Sequence, residues 1–187
     1  MIIGILPPHL DAVAAATPTF VQSRANEVTS GSTNSLAFSS ANTAGNLIVV
    51  YVLWSNTGAV TLSDSRGNSY ASAAGRTTWG SNWSAQVFYA KNVAAGANTV
   101  TATFATAINS FGAIHIHEYS GIDKLNPVDV TRSATGTSSA MSSGPLATTN
   151  ATDLLFAAAG SARSSGKAIA PTRPVQQPSV IARKTAT

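Results

Sequence analysis

Hydrophobic positions along the chain occur in short runs or in strict alternation with polar ones. Residues 47–54 are continuously apolar and rich in β-branched and aromatic side chains, which predicts a strand buried on both faces. In residues 99–104, Val100, Ala102 and Phe104 alternate with three threonines. Because successive side chains of a strand point to opposite faces, this second pattern predicts a half-buried strand.

Further strands are predicted wherever similar patterns lie between clusters of Gly, Asn, Ser and Asp. They cover residues 83–89, 111–119 and 154–159, with shorter ones at 20–23, 36–38, 60–62 and 69–73. No segment has the periodicity of a helix longer than a turn or two. The loop Asp64–Asn68 resembles a hairpin turn, with Gly67 supplying a positive φ. Many short strands at this spacing predict an all-β fold, an antiparallel β-sandwich of jelly-roll-like type.

Composition supports this fold class and narrows the chemistry. The chain has 187 residues, of which 44% are hydrophobic and only 10% charged, against roughly 25% charged in ordinary soluble domains. Small neutral residues fill the difference, as in many secreted β proteins. Cysteine is absent, which excludes disulfides, thiolate zinc sites and a cysteine nucleophile. No apolar run reaches the roughly 18 residues of a membrane span, so none is expected.

Charge and proline divide the chain into three parts. Residues 1–18 are interpreted as an N-terminal arm or the remnant of a signal peptide, residues 19–160 as the β-sandwich domain and residues 161–187 as a basic, proline-containing tail. The tail holds five of the eleven basic residues and no acidic one, whereas residues 1–160 carry six basic and seven acidic residues. Because the tail also lacks aromatic side chains for base stacking, no nucleic-acid partner is expected.

The aromatic residues provide the preferred functional hypothesis. Trp79 and Trp83 flank a connection rich in Gly, Ser and Asn, where core packing explains a tryptophan less readily. Indole faces stack on sugar rings, and amides bind hydroxyl groups. Trp79, Asn82, Trp83 and Tyr70 are therefore predicted to bind a glycan. The alternative is that Trp83 begins a strand and Trp79 caps the edge of the sandwich.

A hydrolase is the second hypothesis. Its candidate residues are Glu118, Asp123 and His117, with Glu118 as an acid if burial raises its pKa. The competing interpretation is that Glu118 is a structural carboxylate that fixes the turn at Ser120. His115 and His117 share the exposed face of a predicted strand about 7 Å apart, which makes them weak candidates for a metal site that lacks a third ligand.

A calcium site is the remaining chemical possibility. Carboxylates and amides in predicted loops could supply its oxygen ligands, at Asp64, Asn68, Asp123, Asn126 and Asp129. Calcium needs 6–8 oxygens, and no Asp-x-Asp-x-Asp-Gly pattern is present. Turn formation by aspartate is the simpler interpretation, and no cofactor is expected.

Four segments resemble a family of bacterial extracellular domains found in secreted, cell-surface and some phage tail proteins. They are Asn46–Val52, Leu62–Tyr70, Gln86–Phe104 and His117–Asp129, the last with the motif Tyr-Ser-Gly-Ile-Asp followed by Asn-Pro-Val-Asp. The resemblance implies a jelly-roll-like β-sandwich and carries no catalytic motif. Such domains usually continue with further strands where this chain has its proline-containing tail.

These observations together predict a secreted or cell-surface binding and adhesion module whose partner is a glycan or a cell-surface polymer. Because the sandwich lacks an expected edge strand, self-association through a sheet edge is a further expectation. A structural subunit that assembles through such edges is therefore the third hypothesis, after the hydrolase.

Overall fold

The computed structural model describes residues 16–137, 141–150, 153–161 and 181–182. This part of the chain is all-β and contains no helix. Its strands in chain order are β1 (Thr19–Val28), β2 (Gly31–Ala37), β3 (Leu47–Trp54), β4 (Val60–Asp64), β5 (Ala71–Ser72), β6 (Thr77–Trp79), β7 (Trp83–Ala90), β8 (Thr99–Ile108), β9 (Gly112–Ser120), β10 (Val130–Thr131) and β11 (Ile181–Ala182). Most of the predicted arm and tail, 1–18 and 161–187, lie outside the described residues.

Two antiparallel sheets pack against each other. Sheet A has six strands in the order β1-β9-β3-β7-β5, with β6 also paired to β7, and sheet B has three strands in the order β2-β8-β4. A short ribbon of β10 and β11 is separate. The predicted antiparallel β-sandwich is therefore confirmed, and its finer jelly-roll character stays a prediction.

The main core lies between the two sheets. Alternate residues of β3, from Ile48 to Trp54, are fully buried there, and the apolar set predicted for β8 faces them from sheet B. The Trp54 and Phe104 rings meet at 6.4 Å between centroids. The alternation predicted for residues 99–104 is thus confirmed, because the intervening threonines are more exposed.

The outer face of sheet A carries a second hydrophobic cluster, which explains why β3 is apolar throughout. Leu47, Val49 and Tyr51 point to this face and are buried. They are covered by residues 128–137, 141–150 and 153–161, hereafter the cover segment, through side chains that include Val128 and Phe156. The prediction that residues 47–54 are buried on both faces is therefore confirmed.

Two local predictions are wrong. Residues 154–159 form no strand; Phe156 makes only an isolated bridge, and the segment packs its apolar side chains onto sheet A. The loop Asp64–Asn68 is not a hairpin turn, because β4 belongs to sheet B and the following β5 to sheet A. Residues 154–159 are apolar and residues 64–68 form a turn, as the local sequence indicates. What differs from the prediction is the part of the sandwich with which each segment packs or pairs.

Glycine is required where the chain passes closest to itself. Gly121, in the turn after β9, has φ +72°, and a side chain there would collide with the Thr17 carbonyl. A Cβ atom at Gly160 would lie 2.8 Å from a methyl group of Leu53. The first glycine permits the turn within the Tyr-Ser-Gly-Ile-Asp motif, and the second permits the cover segment to approach β3 closely.

Strand β1 forms one edge of sheet A and pairs only with β9 within the described residues. It has a register irregularity between Phe20 and Gln22 and carries Arg24 and Glu27, features that discourage edge pairing. Self-association through this edge stays a prediction, and light scattering that gives a constant monomer mass at rising concentration would contradict it. In the described ranges no helix is long and apolar enough to cross a membrane.

Candidate functional site

A hairpin at one end of sheet A places the two candidate tryptophans side by side. β6 ends at Trp79 and β7 begins at Trp83, and these two residues are directly paired across the strands. Gly80, with φ +56°, begins the three-residue turn between them. The indole rings are nearly parallel, at 16°, with centroids 6.4 Å apart.

Phe111 extends this arrangement to three rings. Its centroid lies 5.8 Å from that of Trp83, at an interplanar angle of 50°. We call Trp79, Trp83 and Phe111 the aromatic row. All three side chains are partly exposed, and Asn82 is exposed in the adjoining turn. The row therefore offers apolar ring surface together with an amide, and its two tryptophans stand on paired strands.

Phe111 was not among the residues proposed from the sequence. It precedes β9, and its carbonyl accepts a hydrogen bond from the Ser55 backbone nitrogen just beyond β3. Sheet pairing thus carries Phe111 to Trp83, which lies 28 residues earlier in the chain. The sequence places Phe111 at the start of the strand predicted for residues 111–119, but it does not show which strands are neighbours in the sheet.

Tyr70 lies apart from the aromatic row. It packs against the core between the sheets, whereas Trp79 packs against the outer cluster. The Tyr70 hydroxyl donates a hydrogen bond of 2.9 Å to Asp64, and burial followed by the Asp64 charge raises the pKa of this phenol. The structure brings together Trp79, Asn82 and Trp83 but not Tyr70.

Asp64 is the centre of its loop. Its carboxylate accepts five hydrogen bonds: from the backbone nitrogens of Arg66 and Asn68, and from the side chains of Asn68, Tyr70 and Asn98. Burial acts to raise the pKa of Asp64, but these donors outweigh it and hold the pKa below its usual value. Hydrogen-bond donors surround the Asp64 carboxylate. A calcium ion bound there would need oxygen ligands at those positions instead.

The other calcium candidates occupy separate loops. Asp123 accepts hydrogen bonds from the backbone nitrogens of Leu125 and Asn126, while Asp129 accepts two from Thr149. Across residues 16–161, as far as they are described, no three His, Cys, Asp or Glu side chains form a cluster that could hold a metal ion. Calcium binding stays a prediction.

The two histidines of β9 face the outer cluster. His115 contacts Tyr51 at 5.9 Å between ring centroids, and His117 lies parallel to Tyr119 and edge-on to Phe156 of the cover segment. Burial lowers the pKa of both imidazoles, and the neighbouring His115 helps to bring the pKa of His117 to about 4. The expectation of a freely exposed face is wrong, because the cover segment packs there.

Glu118 is fully buried on the opposite, inner face of β9. Its carboxylate accepts four hydrogen bonds of 2.7–2.9 Å, from the side chains of Gln22, Asn42 and Asn46 and from the Thr43 backbone nitrogen. Burial acts to raise the pKa of Glu118, but the four donors outweigh it and lower the pKa. The carboxylate therefore fixes the loop before β3 and holds no proton near neutral pH.

The proposed hydrolase residues are not brought together. Glu118 and His117 point to opposite faces of sheet A, and the Asp123 carboxylate accepts its hydrogen bonds inside the turn after β9. An acid–base pair needs two groups that reach one substrate. Nothing in this placement supports joint catalysis by the three residues.

Comparison with known proteins identifies no relative of this chain. No family model, curated protein or solved structure matches the chain.

Proposed function

We propose that this protein is a non-catalytic binding module that holds a glycan on the aromatic row. The observation that carries the proposal is the alignment of three partly exposed rings, Trp79, Trp83 and Phe111, beside the exposed amide of Asn82. Sugars present C–H groups on their ring faces and hydroxyls at their edges. Aromatic planes next to an amide complement both.

The rigidity of the site supports the proposal. Trp79 and Trp83 are paired across an antiparallel hairpin, and Trp83 begins a strand that is bonded along its length to β3. A binding surface held on paired strands loses little conformational entropy when a ligand arrives. The same geometry suits a polymer that lies across one end of the sandwich.

Tryptophan fluorescence tests the proposal directly. The chain has three tryptophans, and Trp54 is fully buried with its indole nitrogen bonded to Gly58, so ligand-induced changes report Trp79 and Trp83. Titration with a panel of soluble polysaccharides is expected to quench or shift the emission for at least one of them. Trp83→Ala is expected to weaken that binding by about tenfold or more, as for other aromatic contact residues.

A matched control separates the row from aromatic surface in general. Phe20 is 55% exposed on β1 and lies outside the row, so Phe20→Ala should leave the affinity unchanged. Asn82→Ala, in an exposed turn, weakens binding without removing a packed ring and serves if Trp83→Ala fails to fold. A flat fluorescence response across the panel, or equal affinities for wild type, Trp83→Ala and Asn82→Ala, would refute the proposal.

We further propose that the domain works outside the cell or on its surface. The low charged fraction and abundance of small neutral residues support this location, as does the resemblance to bacterial extracellular domains. Detection of the protein only in the cytoplasmic fraction of the producing cells would contradict it.

A further inference from the structure

A cavity of about 380 Å³ lies between the outer face of sheet A and the cover segment. Tyr51, Ala85 and Val87 line it from β3 and β7, and Trp79 lines it from β6. Residues 133–137 and 158–161 of the cover segment line it from the opposite side. Trp79 therefore belongs both to the aromatic row and to this cavity.

Two hydrogen-bond donors at the cavity have no partner. The Tyr51 hydroxyl and the Trp79 indole nitrogen are both buried and make no hydrogen bond within the described structure. Tyr51 is only 6% exposed, and burial raises the pKa of its phenol, so the hydroxyl keeps its proton. A buried donor without an acceptor costs about 1–3 kcal/mol, which a ligand oxygen can offset.

The cavity lining is uncharged. The described residues that line it are apolar, or carry hydroxyl and amide groups, and none is Asp, Glu, Lys, Arg or His. An ionic ligand would lose its hydration there without meeting an opposite charge. A neutral ligand with several oxygens and an apolar face matches the donors, the hydroxyls and the Trp79 ring together.

We propose that this cavity binds one neutral sugar residue at the end of the glycan chain. Its volume is near the lower end of the roughly 300–1,000 Å³ typical of small-molecule sites, which suits a monosaccharide or a disaccharide. The ligand class rests on the proposed function, whereas the cavity shares only Trp79 with the exposed row. Trp79 would contact both the terminal sugar and the chain that continues over the row.

Isothermal titration calorimetry of the full chain with neutral monosaccharides tests this site. The probes are glucose, galactose, mannose and N-acetylglucosamine, with glucuronic acid as the charged comparison. At least one neutral sugar should bind, and glucuronic acid should bind more weakly. Tyr51→Phe keeps the ring but removes the hydroxyl, so it should weaken binding of that sugar by about tenfold, the effect of one hydrogen bond.

Tyr89→Phe is the matched control. Tyr89 points to the same face from β7 and packs against the outer cluster, but it does not line the cavity. Its variant should bind the sugar like wild type. Equal losses in both variants, no loss in Tyr51→Phe, or glucuronic acid binding as tightly as the neutral sugar would overturn the proposed site.

The outcome also separates this proposal from the proposed function. Polysaccharide binding that depends on Trp83, without binding of any monosaccharide, refutes the terminal-sugar site and leaves the aromatic row in place. Monosaccharide binding that depends on Tyr51 but not on Trp83 supports the cavity even if the row does not bind a polymer. Failure of every glycan, large or small, refutes both.

Discussion

At the scale of single residues, the two carboxylates at the centres of hydrogen-bond networks organise loops. Glu118 is surrounded by four nitrogen donors and Asp64 by five donors, and neither has a cation among those partners. Hydrogen bonds to a charged acceptor are the stronger kind, which offsets the desolvation of each carboxylate. Each network holds a loop against a strand and so fixes the position of that loop on the sandwich.

Glu118→Gln should therefore destabilise the fold strongly. The substitution replaces one acceptor oxygen by an NH₂ group that faces existing donors, so we expect the free energy of unfolding to fall by about 3 kcal/mol. Urea denaturation at pH 7 measures it. Glu27→Gln, on an exposed position of β1, is the control and should change stability by less than about 0.5 kcal/mol. Equal effects would contradict the structural role of Glu118.

At the scale of elements, β9 uses its two faces differently. Its inner face carries two isoleucines and Glu118 into the sandwich, while its outer face places His115 and His117 against the outer cluster. His117 contacts Phe156 at 5.2 Å between ring centroids. A charge on this imidazole would therefore be placed between the strand and the cover segment.

Acid should loosen this contact. The pKa of His117 is about 4 in the folded protein, below the ordinary 6.5, so between these values the unfolded chain binds a proton that the folded chain does not. Stability from this group is complete above pH 6.5 and declines as pH falls towards 4. We expect a loss of at most about 2 kcal/mol between pH 7 and pH 5, measured by urea denaturation at each pH.

A variant isolates the contribution of His117. His117→Phe keeps a ring between Tyr119 and Phe156 but cannot titrate, so the loss between pH 7 and pH 5 should be markedly smaller than in wild type. Glu118 and Asp64 interfere little, because their lowered pKa values place their effect below the ordinary carboxyl values of 4.5 and 3.8. His115, whose pKa burial also lowers, contributes to the loss in wild type and variant alike. An identical pH dependence in wild type and variant would show that His117 is not the titrating group.

At the scale of the whole molecule, the cover segment is an integral layer of the domain. It buries the outer face of sheet A, which would otherwise expose Leu47, Val49 and Tyr51 to water. It also forms one side of the cavity. A three-layer arrangement of sheet B, sheet A and the cover segment therefore supports both the stability of the domain and the proposed sugar site.

Two adjacent residues test this role. Phe156 is 6% exposed and Leu155 is 61% exposed, so the same truncation should give very different results. Phe156→Ala is expected to lower the free energy of unfolding by about 3 kcal/mol, because it leaves a cavity against the outer cluster. Leu155→Ala should change it by less than about 0.5 kcal/mol. Similar small losses in both variants would mean that the cover segment contributes little to global stability.

The sequence by itself determined the all-β class and most strand positions. The continuous apolar run at 47–54 predicts burial on both faces of a strand, and the alternation at 99–104 predicts burial on one face. Both predictions are local, because the direction of each side chain follows from its place in the strand. The sequence also drew attention to Trp79 and Trp83, because the connection rich in Gly, Ser and Asn between them is local.

Only the tertiary structure decided which strands share a sheet, what covers sheet A and which side chains meet. Phe111 contacts Trp83, Asn98 donates a hydrogen bond to Asp64, and Glu118 accepts hydrogen bonds from β1 and from the loop before β3. These contacts join residues that are distant in sequence, so the local pattern of hydrophobic and polar positions cannot predict them. The cavity depends on the same long-range packing, since its two sides come from segments that no local pattern pairs.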